Sequence, residues 1–353
     1  MIWDIHVHIA GVGSQTSGNY LAPAFRRSLA CRFLMRRLGL PPRALKAPDA
    51  DQRFARLIVD QLNASAVDRA VVLALDAAYR DDGARDDRRT LLVADNDFVA
   101  ELAAAHEKIL FGASVHPYRR DALAELERLI GRGACLVKWL PGAQNIRADD
   151  ERCFPFYEVL ARREVPLLCH TGVEHTLKAF PHTLNDPRRL VPALERGVTV
   201  IAAHCGLNLF LSEKSYFPAW QEMALRYARF YGDLSAFGFP ARLRRLRSLL
   251  REPRLAAKLL FGSDFPVPPL GLACLCTLKP RRAWQLSRVP NPFDQAVELI
   301  EAAGAPPEVF ARAAQLLHLP ANKRTAAAPQ EPRQHAGLRD GSPHVAGDGY
   351  ASP

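Results

Sequence analysis

The chain has 353 residues, of which 48% are hydrophobic, and 47 lysines and arginines against 37 aspartates and glutamates give a formal charge of +10. Such a chain can bury a large core, which excludes a small disulfide scaffold, a fibrous repeat and a wholly disordered protein. No apolar stretch reaches the ~18–20 residues of a bilayer-spanning helix, and the most apolar run, Val198 to Leu211, is broken by His204 and Asn208.

The N-terminus, Met1-Ile-Trp-Asp-Ile-His-Val-His, lacks the basic flank and small-residue cleavage site of a secretory leader. The seven cysteines are odd in number and scattered through apolar segments, as expected of buried thiols in a cytoplasmic protein. Much of the positive charge lies in helical stretches such as Arg242 to Arg251, where basic and apolar residues alternate at helical spacing. That pattern predicts an amphipathic helix with a solvated basic face. Without a zinc-finger spacing or an RNP-like motif, nucleic acid is not an expected partner.

In chain order, short β-branched runs predict strands at Ile2–Ile9, Ala70–Leu75, Ile109–Val115, Cys135–Leu140, Pro166–His170, Val198–His204, Gly232–Ser235 and Lys258–Asp264. Helical patterns fall between them at Asp51–Asn63, Thr90–His106, Arg119–Gly131, Phe154–Arg163, Pro187–Arg196, Ala219–Phe230 and Ala241–Leu250, and a last one covers Pro307–Leu317. An eightfold strand–helix alternation predicts an α/β fold, a (β/α)8 barrel over residues 1–319. Residues 10–50 interrupt the rhythm after the first strand with a Gly- and Ser-rich opening, then a basic amphipathic piece from Phe25 to Leu40. This insertion is a lid over the barrel mouth or a surface excursion packed on a neighbouring helix or subunit, so a homodimer is a candidate assembly; attachment to a membrane surface is disfavoured, because one short basic helix without lipidation binds weakly. Residues 320–353 are poor in large apolar side chains and are expected to be disordered.

On the first strand, period-two geometry sends His6 and His8 to one face, where two imidazoles can share a metal ion. Other predicted strands end in Lys138, His170, His204 and Asp264, each followed by loop residues. Strand ends of a barrel converge on one mouth, so these distant residues meet there. His116 and His175 also fall at the predicted mouth, either as supports or substrate contacts, or as loop histidines that cap backbone groups. Glu174 is either a solvated loop carboxylate or a partner that orients a ligating imidazole. Cys169 and Cys205 adjoin histidines and should face the helices, whereas Cys274 and Cys276 form a weak metal-binding pattern.

The motifs DIHVH, VKWLPGAQNIRADDERCFPFYEVL leading into PLLCHTG, VIAAHCG and LLFGSDFP resemble the amidohydrolase superfamily, most closely its amidohydrolase-2 branch, from Met1 to about Leu319. That branch also contains decarboxylases similar to aminocarboxymuconate-semialdehyde decarboxylase. The resemblance implies a distorted metal-dependent barrel in which His6, His8, His170 and Asp264 are metal ligands. It makes His204 a catalytic residue acting on substrate or metal-bound water, as in single-metal members, or a ligand to the second ion, as in two-metal members. Lys138 corresponds to a lysine that, once carboxylated, bridges two ions in some members. Its alternative role is an ammonium paired with a substrate carboxylate. Imidazole and carboxylate donors suit zinc and permit iron or manganese, with one ion favoured over two.

The leading expectation is hydrolysis of a small-molecule amide, lactone or ester, with Asp264 as the catalytic proton acceptor. The alternative is a lyase of the same metal class, a decarboxylase or hydratase of an unsaturated or aromatic acid. A carboxylate-bearing substrate would find its cation in Lys138, Arg147 or an arginine between Arg26 and Arg37. A catalytically dead scaffold barrel would lack a ligand, and every ligand type is present.

Overall fold

Each predicted strand is apolar on both faces, and such strands are stable only where helices cover the outside and side chains fill the inside. In the computed structural model of the protein, which describes residues 1–177, 179–209, 213–267 and 278–319, they form one eight-stranded parallel sheet in chain order. The strands are β1 (Trp3–His8), β2 (Arg69–Leu73), β3 (Ile109–Ala113), β4 (Ala134–Trp139), β5 (Leu167–His170), β6 (Val200–Ala203), β7 (Phe230–Asp233) and β8 (Leu259–Leu260). The sheet closes where Ile5 N donates to Phe261 O at 3.2 Å and His8 N to Phe265 O at 2.7 Å. The fold is therefore the expected (β/α)8 barrel.

Its interior holds Ile5, Leu73, Leu110, Leu136, Leu168 and Ile201, and Leu317 and Leu319 join Trp3 at the end where β1 begins. A larger apolar layer lies between strands and helices. No helix among the described residues is long and apolar enough to cross a membrane. The expected tail at 320–353 and the Cys274–Cys276 pair lie outside the described residues.

Two expected boundaries shift for local reasons. The helix expected at Thr90–His106 spans Asn96–Ala105, because Leu92–Val93 pairs antiparallel with Tyr20–Leu21 and the Asp95 carboxylate caps the helix by accepting from Phe98 N at 3.0 Å. The eighth strand pairs with β7 only at Leu259 and Leu260. Beyond them the chain bonds to β1 instead, with Asp264 N donating to His6 O at 2.9 Å.

The insertion after β1 contains two short helices, Pro23–Arg26 and Leu29–Arg37, the second capped by the Ser28 hydroxyl. One carboxylate anchors it. Asp51 is buried and accepts from Val12 N at 2.6 Å, Gly13 N at 3.0 Å, the Ser17 hydroxyl at 2.5 Å and the Asn19 amide at 3.1 Å. Arg26 adds donors to Leu21 O at 3.0 Å and Val12 O at 3.1 Å.

Removing the Asp51 carboxylate strands four donors at once. Asp51→Ala is expected to lower stability by ~1–3 kcal/mol in urea unfolding. A loss below ~0.5 kcal/mol, the level of an ordinary surface change, would show that the insertion is held by other contacts.

Candidate metal centre

β1 reaches the site through a bulge. Its register with β2 pairs Asp4 with Ala70 and then Val7 with Val72, three steps against two, which switches the face of every later residue. Trp3 and Ile5 accordingly pack inside the barrel, whereas Val7 and Ile9 pack among the helices. His6 and His8 both turn inward at the strand's end. Gly262 permits the close approach of the last strand, since a Cβ there would lie 2.9 Å from His6 Cβ.

The two Nε2 atoms of His6 and His8 lie 3.0 Å apart. Asp264 Oδ1 lies 3.4 Å from the first and 3.3 Å from the second. Donor atoms of these three residues all fall within 4.8 Å of one another, a grouping able to hold a metal ion. Lys138 Nζ is buried at 3.0 Å from His6 Nε2. Burial pushes the Lys138 pKa down, against the opposing pull of Asp233 and Asp264.

Asp233, which the sequence reading did not single out, organises this group from the end of β7. Its Oδ2 accepts from His6 Nδ1 at 2.7 Å. Its Oδ1 accepts from His204 N at 2.8 Å, Ser235 N at 3.1 Å and the Ser235 hydroxyl at 2.5 Å. Burial alone would raise its pKa, but His6, His204 and Ser235 together hold it well below the usual carboxylate range. Because His6 Nδ1 carries the donated proton, its Nε2 presents a lone pair to His8 and Asp264, the tautomer a metal ligand needs. Asp4 has a different part: its Oδ1 accepts from His6 N and Ser263 N, both at 3.0 Å, and burial pushes its pKa up to about 7.

His204 faces the site against the alternation of its strand. Ile201 and Ala203 point inward, so the next residue would point out. Left-handed φ values of 61° at His204 and 51° at Cys205 reverse it, a strain of ~1–3 kcal/mol per residue of the kind found at functional sites. The Ser235 hydroxyl spends its proton on Asp233. His204 Nδ1, 2.8 Å from Ser235 Oγ and 3.1 Å from Ser235 O, must therefore be the donor, which leaves Nε2 as an acceptor. Burial and the nearby Arg242 push the His204 pKa down to about 3, so the ring is neutral.

His170 lies outside the three-residue group. Its ring packs edge-on against His204 with centroids 4.9 Å apart. Its Nε2 is buried without a hydrogen-bond partner, 3.5 Å from Glu174 Oε2. A buried orphan nitrogen beside a buried carboxylate, next to a lone-pair cluster of imidazoles and a carboxylate, fits a divalent cation of the zinc, iron or manganese type. Glu174 is buried rather than solvated, and its Oε1 accepts from Thr176 N at 2.6 Å and Leu177 N at 2.9 Å.

Other expected candidates fall elsewhere. His116 caps backbone: its Nε2 donates to Gln144 O at 2.7 Å and its Nδ1 accepts from Tyr118 N at 3.1 Å. His175 pairs with Glu213 at 3.0 Å. Cys169 and Cys205 pack toward the helices as expected, Cys169 by strand alternation and Cys205 through the same backbone reversal that turns His204 inward. The expectation that Arg242 belongs to a solvated face is corrected, since it is 2% exposed and donates to Ser235 O at 3.3 Å and Leu207 O at 3.2 Å. Periodicity could not single it out among four neighbouring arginines, but Asp233 stood at a strand end like the residues that were chosen.

His8, His170, His204 and Asp264 open onto a cavity of about 190 Å³, whose far wall comes from the insertion. Asp233→Asn removes the charge that orients His6 and pins His204. Metal affinity is expected to fall ~10–100-fold in a chelator competition titration, and an unchanged affinity would show that His6 is oriented without it.

The chain matches the family model described as Amidohydrolase, of the amidohydrolase-2 type, over residues 3–273. No curated protein matches it. Among solved structures, it is similar to an uncharacterised TIM-barrel protein from Bordetella bronchiseptica, at 19% identity and a TM-score of 0.54, over 86% of this chain and 99% of that one. It is also similar to a probable 2-pyrone-4,6-dicarboxylic acid hydrolase from Acinetobacter baumannii, at 14% identity and 0.49, over 88% and 99%. A third similarity is to the 5-carboxyvanillate decarboxylase LigW from Sphingomonas paucimobilis, at 15% identity and 0.47, over 88% and 98%. A family match across most of the chain, on a barrel whose strand ends gather the expected histidines and aspartate, makes this protein a member of the amidohydrolase-2 family.

Proposed function

We propose that the protein is a metal-dependent hydrolase of a small-molecule ester, lactone or amide. The observation that carries this reading is a pair of proton acceptors, the Asp264 carboxylate and His204 Nε2, beside the imidazole cluster on the cavity surface. A divalent ion held by His6, His8 and Asp264, with His170 beside them, supplies Lewis-acid activation of water and carbonyl. We take it to be one ion, because His6, His8 and Asp264 are the sole three-ligand group among the described residues, and zinc because imidazole and carboxylate donors suit it. With one ion Lys138 stays an amine, whereas a carboxylated Lys138 would accompany a second ion.

Asp264 accepts a proton from water as its oxygen attacks the carbonyl carbon. It returns that proton to the departing nitrogen or oxygen as the carbon–heteroatom bond breaks. Burial opposes ionisation of Asp264, but His6, His204 and the bond from His8 hold its pKa well below the usual carboxylate range. His204, neutral and donating through Nδ1 to Ser235, accepts from the attacking water rather than donating to an oxyanion. Decarboxylation, the second reading, requires a proton donor to the new carbanion, and two acceptors suit it less well. A cytoplasmic location belongs to the same reading, on the strength of the buried free thiols of Cys31, Cys135, Cys153, Cys169 and Cys205.

The test compares parent and Asp264→Asn on neutral esters, lactones and amides. The amide keeps an oxygen ligand but cannot take the proton, so kcat/KM should fall ~10²–10⁴-fold with metal retained. In the parent, protonating the Asp264 assembly removes the acceptor, so kcat/KM declines as pH falls, and the coupled groups titrate as one unit. Near-parental turnover in a metal-loaded Asn variant, or release of carbon dioxide from aromatic acids in place of hydrolysis, would overturn the hydrolase reading.

A further inference from the structure

The cavity that reaches the metal centre is strongly asymmetric. At one end stand His8, His170, His204 and Asp264. The insertion supplies the opposite wall with Val12, Leu21, Leu34, Met35, Leu38 and Leu45, and the barrel side adds further aliphatic residues. Apart from the cluster, the charged residues that line it among the described residues are Asp51, Arg53 and Glu174.

Each of these three is already engaged. Asp51 anchors the insertion backbone through the four bonds described above, and Glu174 accepts from two backbone amides while facing His170. Arg53, the one cation among the described lining residues, pairs with Asp49 at 2.6 Å and is 56% exposed. The cations expected to receive a substrate carboxylate are elsewhere. Arg26 is spent on Leu21 O and Val12 O, and Arg27, Arg32, Arg36, Arg37 and Arg147 are exposed and do not line the cavity. Lys138 lies beneath the surface, against His6. Away from the metal centre, an anionic tail would lose hydration beside Asp51 and Glu174 and meet no unpaired cation among the described lining residues.

We propose that the insertion is the specificity wall of the site and that it selects an uncharged aliphatic acyl chain, with the reacting carbonyl at the imidazole end and the hydrocarbon against Leu34, Met35 and Leu38. The position of the carbonyl rests on the hydrolase reading; the choice of an uncharged tail rests on the cavity wall alone. Burial of each methylene there contributes ~0.8 kcal/mol, about fourfold in affinity.

The experiment measures binding of carbonyl compounds that cannot be hydrolysed, by calorimetry on the protein as purified. Methyl butyl ketone, methyl hexyl ketone and a methyl hexyl ketone carrying a carboxylate at its tail are the probes. Affinity should rise about fourfold per methylene and fall at least ~10-fold when the tail is charged. Leu34→Lys, at a half-buried position on the wall, should reverse the last preference, and Leu38→Lys serves if the first variant does not fold. Affinity independent of chain length, or tighter binding of the carboxylated ketone by the parent, overturns the proposal. No turnover is measured, so an inactive hydrolase assay would leave this result standing, and an active one could not rescue it.

Discussion

A carboxylate buried away from bulk solvent must have its charge answered by donors at fixed positions, and Asp233 is that carboxylate here. One oxygen takes the Nδ1 proton of His6; the other takes the His204 amide and both donors of Ser235. From these bonds follow the tautomer of His6, the turn that swings His204 inward and, because the Ser235 hydroxyl is already committed, the tautomer of His204. Two imidazoles on different strands thus present lone pairs to one space. The carboxylate of Asp264 faces the same space, and a cation is what that convergence can stabilise.

The insertion is built on the same principle at a second place. Asp51 gathers donors from Val12 to Asn19, and Asn19 in turn accepts from Asp95 N at 2.7 Å. An otherwise irregular stretch becomes a rigid support for the helix Leu29–Arg37, whose inner side chains complete the cavity over the strand ends. Because Asp51, at the cavity edge, satisfies the backbone of the irregular stretch, the side chains that the helix turns into the cavity can be aliphatic. The metal centre and the apolar wall then face each other across one chamber, each with its polar demands met elsewhere.

The barrel was legible because hydrophobic runs and helical periods are local properties, and the meeting of His6, His8, His170, His204 and Asp264 at one mouth was legible because barrel strand ends converge. Their routes into the site were not. Alternation alone puts His6 and His8 on one face but does not reveal the bulge after Asp4, and it would turn His204 outward. Both depend on backbone departures that no residue type announces. Asp233 shares the strand-end position of the site residues, but its bonds to His6 and His204 are visible only in the fold, and Arg242 shares its helical spacing with exposed arginines while lying buried against Ser235 and Leu207. Likewise, arginines in the insertion read as anion receptors until their positions outside the cavity are known.

The account depends most on a cation at the convergence of His6, His8 and Asp264. Anomalous diffraction from crystals of the protein grown with zinc, recorded on both sides of the zinc absorption edge, tests this directly. The expected result is one strong anomalous peak in contact with His6 Nε2, His8 Nε2 and Asp264 Oδ1. A fully zinc-loaded crystal whose anomalous peaks all lie away from these three atoms would contradict it.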